Sequence, residues 1–130
     1  MIVEKLNNKP QNFILKTKAE DMMVYGLQAV RNFPRADRQT AAEIRRSMLT
    51  VYRLSITLEK KYYKKTTLQE LDIELAILRH LVRIAREVRF YGPKVHPPLS
   101  PKQYEVISQY MDEVGRLIGG YMKSLSPNKE

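Results

Sequence analysis

The stretch Arg38–Tyr62, RQTAAEIRRSMLTVYRLSITLEKKY, decides the fold. It contains neither Gly nor Pro, and at 100° per residue Ile44, Met48, Val51, Ser55, Leu58 and Tyr62 fall on one stripe. Such a pattern belongs to a helix packed along one side. With a rise of 1.5 Å per residue it is roughly 40 Å long. A stripe of that length needs neighbouring helices to cover it, so the flanking segments are read for the same period.

Upstream, Thr17 is expected to cap a first helix, with Glu20 and Asp21 near the positive end of its dipole, and Pro34 ends that helix after Phe33. Residues 1–16 show no sustained period and read as a loosely attached extension in which Phe13, Ile14 and Leu15 could dock as an arm. Downstream, Lys64 to Thr67 form a turn in which a Thr followed three residues later by Gln69 or Glu70 resembles a capping box. A third helix is predicted from about Leu68 to Tyr91, stopped by Gly92 and Pro93. The prolines of Lys94 to Leu99 enforce an extended loop. Ser100 then caps a fourth helix with Pro101 at its first position, running to about Leu125. Four helices with short connections predict an all-α, up-down-up-down antiparallel four-helix bundle over residues 17–126, followed by a tail at 127–130.

Size and composition agree with one such domain. The chain has 130 residues, of which 43% are hydrophobic and 28% charged, the mixture of a folded protein and not of a disordered one. No apolar run approaches the roughly 20 residues that span a bilayer, and the first 18 residues do not resemble a signal peptide, so a soluble, cytoplasmic protein without membrane partners is expected. The absence of cysteine excludes disulfides, thiolate metal sites and thiol catalysis. His80 and His96 have no metal-ligand spacing, and the carboxylates Glu70, Asp72 and Glu74 face no matching His or carboxylate helix. There is no phosphate-cradling glycine loop. Neither catalysis nor a cofactor or metal is expected.

Charge points to a partner class. The net charge is +9, and residues 34–66 alone carry +6. Arg38, Arg45, Arg46, Arg53 and Lys60 fall within about a 100° arc nearly opposite the apolar stripe, beside Leu49 and Ile56. With Lys61, Lys64 and Lys65 of the following turn they are the candidate contacts to nucleic-acid phosphates. A merely solvated cationic face is the plain alternative, against which stands the scarcity of interspersed acids. The third helix carries a stripe of Leu71, Leu75, Leu78, Val82 and Ala85 and a second of Ile73, Ile77, Leu81, Ile84 and Val88, together some 200° wide, roughly. The surplus predicts coverage by another subunit. Its remaining face holds Arg79, Arg83 and Arg86, with Asp72 a possible pairing partner; these suit nucleic acid and salt bridges alike. On the fourth helix Ile107, Tyr110, Val114, Leu117, Tyr121 and Leu125 are expected in the core with Met111 and Ile118 at its edge, while Gly115, Gly119 and Gly120 suggest close approach of another helix. The eight tyrosines read as packing residues before they read as base-stacking ones.

The strings Leu75-Ala76-Ile77-Leu78-Arg79-His80-Leu81-Val82-Arg83, Leu99-Ser100-Pro101-Lys102-Gln103 and Glu113-Val114-Gly115-Arg116-Leu117-Ile118-Gly119 resemble the accessory variability determinant (Avd) proteins of diversity-generating retroelements, within the S23-like group of four-helix bundles. The resemblance covers about residues 17–126. It implies a ring-like homopentamer with a basic surface that binds the retroelement's RNA or DNA and associates with its reverse transcriptase, helping it copy a template repeat into complementary DNA. By position Arg79 and Arg83 match the family's third-helix arginines and Arg116 its fourth-helix arginine. The longer N-terminal arm and the Gly92 to Leu99 loop depart from the family pattern. An S23-like association with ribosomal RNA, or a bundle that binds an acidic protein, stays open on the sequence.

Overall fold

The computed structural model describes residues 11–125, which form four helices: α1 (Gln11–Arg31), α2 (Arg38–Lys60), α3 (Lys65–Ile84) and α4 (Pro101–Leu125). Single 3-10 turns lie at Arg35–Asp37 and Val88–Phe90, and among the described residues there is no strand. The helices pack in a cycle, α1 on α2, α2 on α3, α3 on α4 and α4 back on α1. Pairings that run in opposite senses show the antiparallel arrangement. Lys16 meets Glu59 and Glu20 meets Tyr52 across α1 and α2. Arg79 meets Asp112 and Leu75 meets Gly115 across α3 and α4.

The core is the expected one for α2 and α3. Ile44, Met48, Val51, Ser55 and Leu58 are buried from α2, and Leu68, Leu71, Leu75, Leu78 and Val82 from α3. Ser47 and Ser55 enter this apolar interior with their hydroxyls satisfied, Ser47 donating to Glu74 at 2.7 Å and Ser55 to the Tyr52 carbonyl at 2.6 Å. On α4 the buried face is rotated from its predicted position: Met111 and Ile118 are central, Tyr110 and Leu117 are half-buried, and Leu125 is exposed. Contact with α1 on one side and α3 on the other sets that rotation, as Tyr110 leans on Tyr25 at 6.0 Å between ring centroids.

Four boundaries differ from the sequence reading, each for an identifiable reason. First, α1 begins at Gln11, ahead of Thr17, because Leu15 and Ala19 are fully buried and carry the helix back to cover α2 and α4. Thr17 is inside the helix, its hydroxyl donating to the Phe13 carbonyl at 3.0 Å, and Glu20 accepts from the Tyr52 hydroxyl instead of capping. The remaining extension, residues 1–10, and the tail at 127–130 lie outside the described residues. Second, α2 stops at Lys60; Lys61 is extended (ψ 147°), which swings Tyr62 out of the predicted core stripe to 86% exposure. Third, α3 opens at Lys65 without a side-chain cap, and Thr67 lies in its first turn, fully buried with its hydroxyl unpartnered. Fourth, α3 ends at Ile84 and not at Tyr91. The Ala85 carbonyl accepts the Leu99 amide at 3.1 Å, and Arg86 donates to the Leu99 carbonyl at 2.7 Å. With Leu99 fully buried, this tertiary pairing displaces the last turns of the predicted helix.

The start of α4 follows the sequence closely. Ser100 Oγ accepts the Gln103 amide at 3.1 Å, and the Gln103 side-chain oxygen accepts the Ser100 amide at 3.0 Å. This reciprocal capping box, with Pro101 next, fixes where α4 leaves the loop.

Candidate nucleic-acid interface

Because α2 buries one stripe, the opposite arc must face outward. Arg38, Arg45, Arg46, Arg53 and Lys60 are all exposed, with Leu49 and Ile56 exposed among them. The charges are scarcely offset. Among the described residues Arg46 alone of this arc forms an ion pair, with Glu43 at 3.9 Å, and its side chain is 73% exposed, so the pair is solvent-screened and weak. Arg38, Arg45, Arg53, Lys60, Lys61 and Lys65 form no ion pair among the described residues. Glu59, which could have neutralised Lys60, is taken by Lys16 at 3.0 Å. Hydrogen bonding from that ammonium holds the Glu59 carboxyl below the usual range.

At the N-terminal end of α2 the arc runs into a crevice of about 340 Å³ at the α1–α2 connection. Leu27, Val30, Phe33, Pro34 and Ala41 make its apolar part, and Arg31, Arg35, Arg38 and Arg45 its cationic part. None of these arginines forms an ion pair among the described residues. Asp37 stands at the N-cap of α2 without a side-chain cap hydrogen bond, and no further acid lies in the first turn, so one carboxylate faces the positive pole of the helix and the four arginines around it. The sequence reading missed Arg31 and Arg35, which sit on other elements. The shortness of the connection was the signal that brings them beside Arg38.

The other end of the arc is the α2–α3 turn. Lys60, Lys61 and Lys65 are exposed there, but Lys64 is engaged: its ammonium donates to the Leu58 carbonyl at 2.7 Å and the Lys61 carbonyl at 2.5 Å. It closes the C-terminus of α2, satisfying carbonyls that the helix leaves unpaired. Tyr62 and Tyr63 project beside it, 86% and 80% exposed.

The three arginines assigned by resemblance lie along the α3–α4 groove but differ in freedom. Arg79 is held by Asp112 at 2.8 Å and by the Met111 carbonyl at 3.1 Å, lying over Gly115, where an added Cβ would stand 3.0 Å from its Nη2. Arg83 reaches Glu87 at 3.4 Å. Arg116 is exposed and, among the described residues, unpaired, and lines the same recess of about 430 Å³ as Arg79, Asp72 and Asp112. Asp72 pairs with none of them; Asp112 and Glu87 take the role predicted for it, and Arg86 is spent on Leu99. The ridge predicted as a unit is thus divided into braced and free members.

Outside these surfaces, His80 Nδ1 lies 2.8 Å from the Ala76 carbonyl one turn back, a local helical contact. Tyr91, with its hydroxyl buried and unpartnered, is raised above the ordinary tyrosine range by burial and then by Asp37. Among the described residues no three His, Asp or Glu side chains converge on a metal-sized site, and no helix is long and apolar enough to cross a membrane.

Against known proteins, a family model described as bAvd-like matches residues 13–125, from the first turns of α1 to the end of α4. No curated protein matches the chain.

Proposed function

The chain belongs to the bAvd-like family, and from that premise we propose that it is a non-catalytic, nucleic-acid-binding accessory factor for the reverse transcriptase of a diversity-generating retroelement. It acts in the cytoplasm as a homo-oligomer, a ring of five on the family pattern. The observation that carries the reading is the scarcely compensated cationic arc of α2, continued into the four-arginine crevice. Charges without acidic partners add little to the fold and much to attraction for a polyanion. Apolar residues on the outer side of α3, with Ile73 61% and Ile77 45% exposed, support assembly through that face. Arg116, unpaired beside the braced Arg79 and Arg83, is the candidate contact to the polymerase or its bound strand.

The test is a salt titration of RNA binding with the intact chain. Neutralising one phosphate contributes a logarithmic slope of about −0.7 to −0.9, so the six unpaired cations Arg38, Arg45, Arg53, Lys60, Lys61 and Lys65 together give about −4 to −5. Raising salt fourfold then lowers affinity on the order of a thousandfold. Arg45→Ala with Arg53→Ala reduces the slope by about 2. A flat response, or no binding at low salt, rejects the proposal.

A further inference from the structure

We propose that Tyr62 and Tyr63 form a stacking platform for unpaired nucleobases, which gives the basic surface a preference for single strands; this rests on the nucleic-acid reading above. The sequence places Tyr62 on the core stripe of α2, yet the structure expels it. Both rings stand almost wholly in solvent, at 86% and 80% exposure, with centroids 4.8 Å apart and planes at 82°. An edge-to-face pair leaves ring faces open to a third aromatic system.

The surroundings select a nucleobase as that third system. The segment Lys60-Lys61-Tyr62-Tyr63-Lys64-Lys65 contains four cations and no acid. Among the described residues Lys60, Lys61 and Lys65 are free of ion pairs, and the nearest carboxylate in sequence, Glu59, is occupied by Lys16. Open π-faces bordered by unpaired cations are the combination that holds single strands, whose phosphates follow the charge while their bases stack. In a duplex the bases are already stacked on one another, so the rings add nothing there. The platform also lies at the end of the α2 arc, past Arg53 and Lys60, where a strand tracking that arc arrives.

The turn that carries the rings is braced. The Lys61 amide donates to the Thr57 carbonyl at 3.0 Å, the Leu68 amide to the Lys64 carbonyl at 3.0 Å, and the Lys64 ammonium reaches back to Leu58 and Lys61. Both sides of the two-tyrosine segment are therefore closed by hydrogen bonds, which lowers the ordering cost of binding. Lys64 is a positioning residue here and not a phosphate contact.

The experiment measures fluorescence anisotropy of a labelled oligouridine, an abasic sugar-phosphate strand of the same length and a duplex of the same length, at one salt concentration. It uses the full chain, Y62A/Y63A and Y62F/Y63F. The unaltered chain should bind oligouridine on the order of tenfold more tightly than the abasic strand. Y62A/Y63A should bind the two alike, with duplex affinity unchanged, and Y62F/Y63F should keep the preference. If the unaltered chain binds oligouridine and the abasic strand equally, or Y62A/Y63A retains the preference, the platform is refuted while the basic surface stands. If no strand binds at low salt, the nucleic-acid reading itself falls. A fall in assembly mass by light scattering for Y62A/Y63A would assign the rings to a contact between copies of the chain and overturn the proposal.

Discussion

Three glycines on α4 look alike in the sequence, and the structure predicts that replacing them by Ala has unequal consequences. At Gly119 and Gly120 an added Cβ meets nothing within 4 Å. There Ala supplies its helix preference alone, stabilising by about 1 kcal/mol at each site. At Gly115 the new Cβ stands 3.0 Å from Arg79 Nη2 and 3.3 Å from Leu75 Cδ2. The guanidinium cannot retreat freely, because it is bonded to Asp112 and to the Met111 carbonyl. Displacing it loses a hydrogen bond of about 0.5–1.5 kcal/mol and a 40%-exposed ion pair that adds little beyond it. Set against the helix preference of Ala, this loss leaves Gly115→Ala within about 0.5 kcal/mol of neutral. For a domain of this size that separates it from Gly119→Ala by about 2–6 °C in Tm. Urea denaturation followed by circular dichroism, at fixed protein concentration and with assembly mass checked, measures the difference. In an Arg79→Ala background the obstruction is gone, so Gly115→Ala should turn stabilising and show a coupling of about 1 kcal/mol with Arg79. If Gly115→Ala stabilises as much as Gly119→Ala, or is unchanged by removing Arg79, the reasoning is refuted.

Gly26→Ala drives a Cβ into the buried Met48 side chain and should cost about 1–3 kcal/mol, part of it recovered by Met48→Val, as read from denaturation midpoints. Leu99→Ala removes a fully buried side chain and should cost about 2–5 kcal/mol while speeding amide exchange at residue 99, whose N–H bonds Ala85. Because the Glu59 carboxyl is lowered on folding by Lys16, its contribution is present above the ordinary glutamate value of about 4.3 and lost as pH falls through the lowered one. Lys16→Met should flatten that part of the acid limb in Tm measurements between about pH 3 and 6, and an unchanged profile would show that the pair does not act on stability.

The predictions divide according to what local sequence records. The α2 and α3 core stripes, the Ser100 cap with Pro101, and the outward arc from Arg38 to Lys60 were readable, since each depends on residues close together within one helix or at its start. Arg79 and Arg83 were visible as a ridge, but whether a guanidinium is free depends on what stands across the groove, and Asp112 belongs to a different helix. Lys64 shows the same limit, as a lysine in a basic run that the turn geometry directs onto α2's own carbonyls.

By itself, the sequence determined four helices, their antiparallel order, the side of α2 that carries charge and the resemblance to the family that its match bears out. Those features follow from period, caps and proline, which act within a few residues. Tertiary structure alone decided that α1 reaches back to Gln11, that α3 yields its last turns to the Leu99 pairing, and that Tyr62 leaves the core. It also gathered Arg31 and Arg35 with Arg38 and Arg45 around one crevice. In each case burial or a hydrogen bond to a distant element outweighed local preference, and no spacing along the chain encodes which distant element arrives.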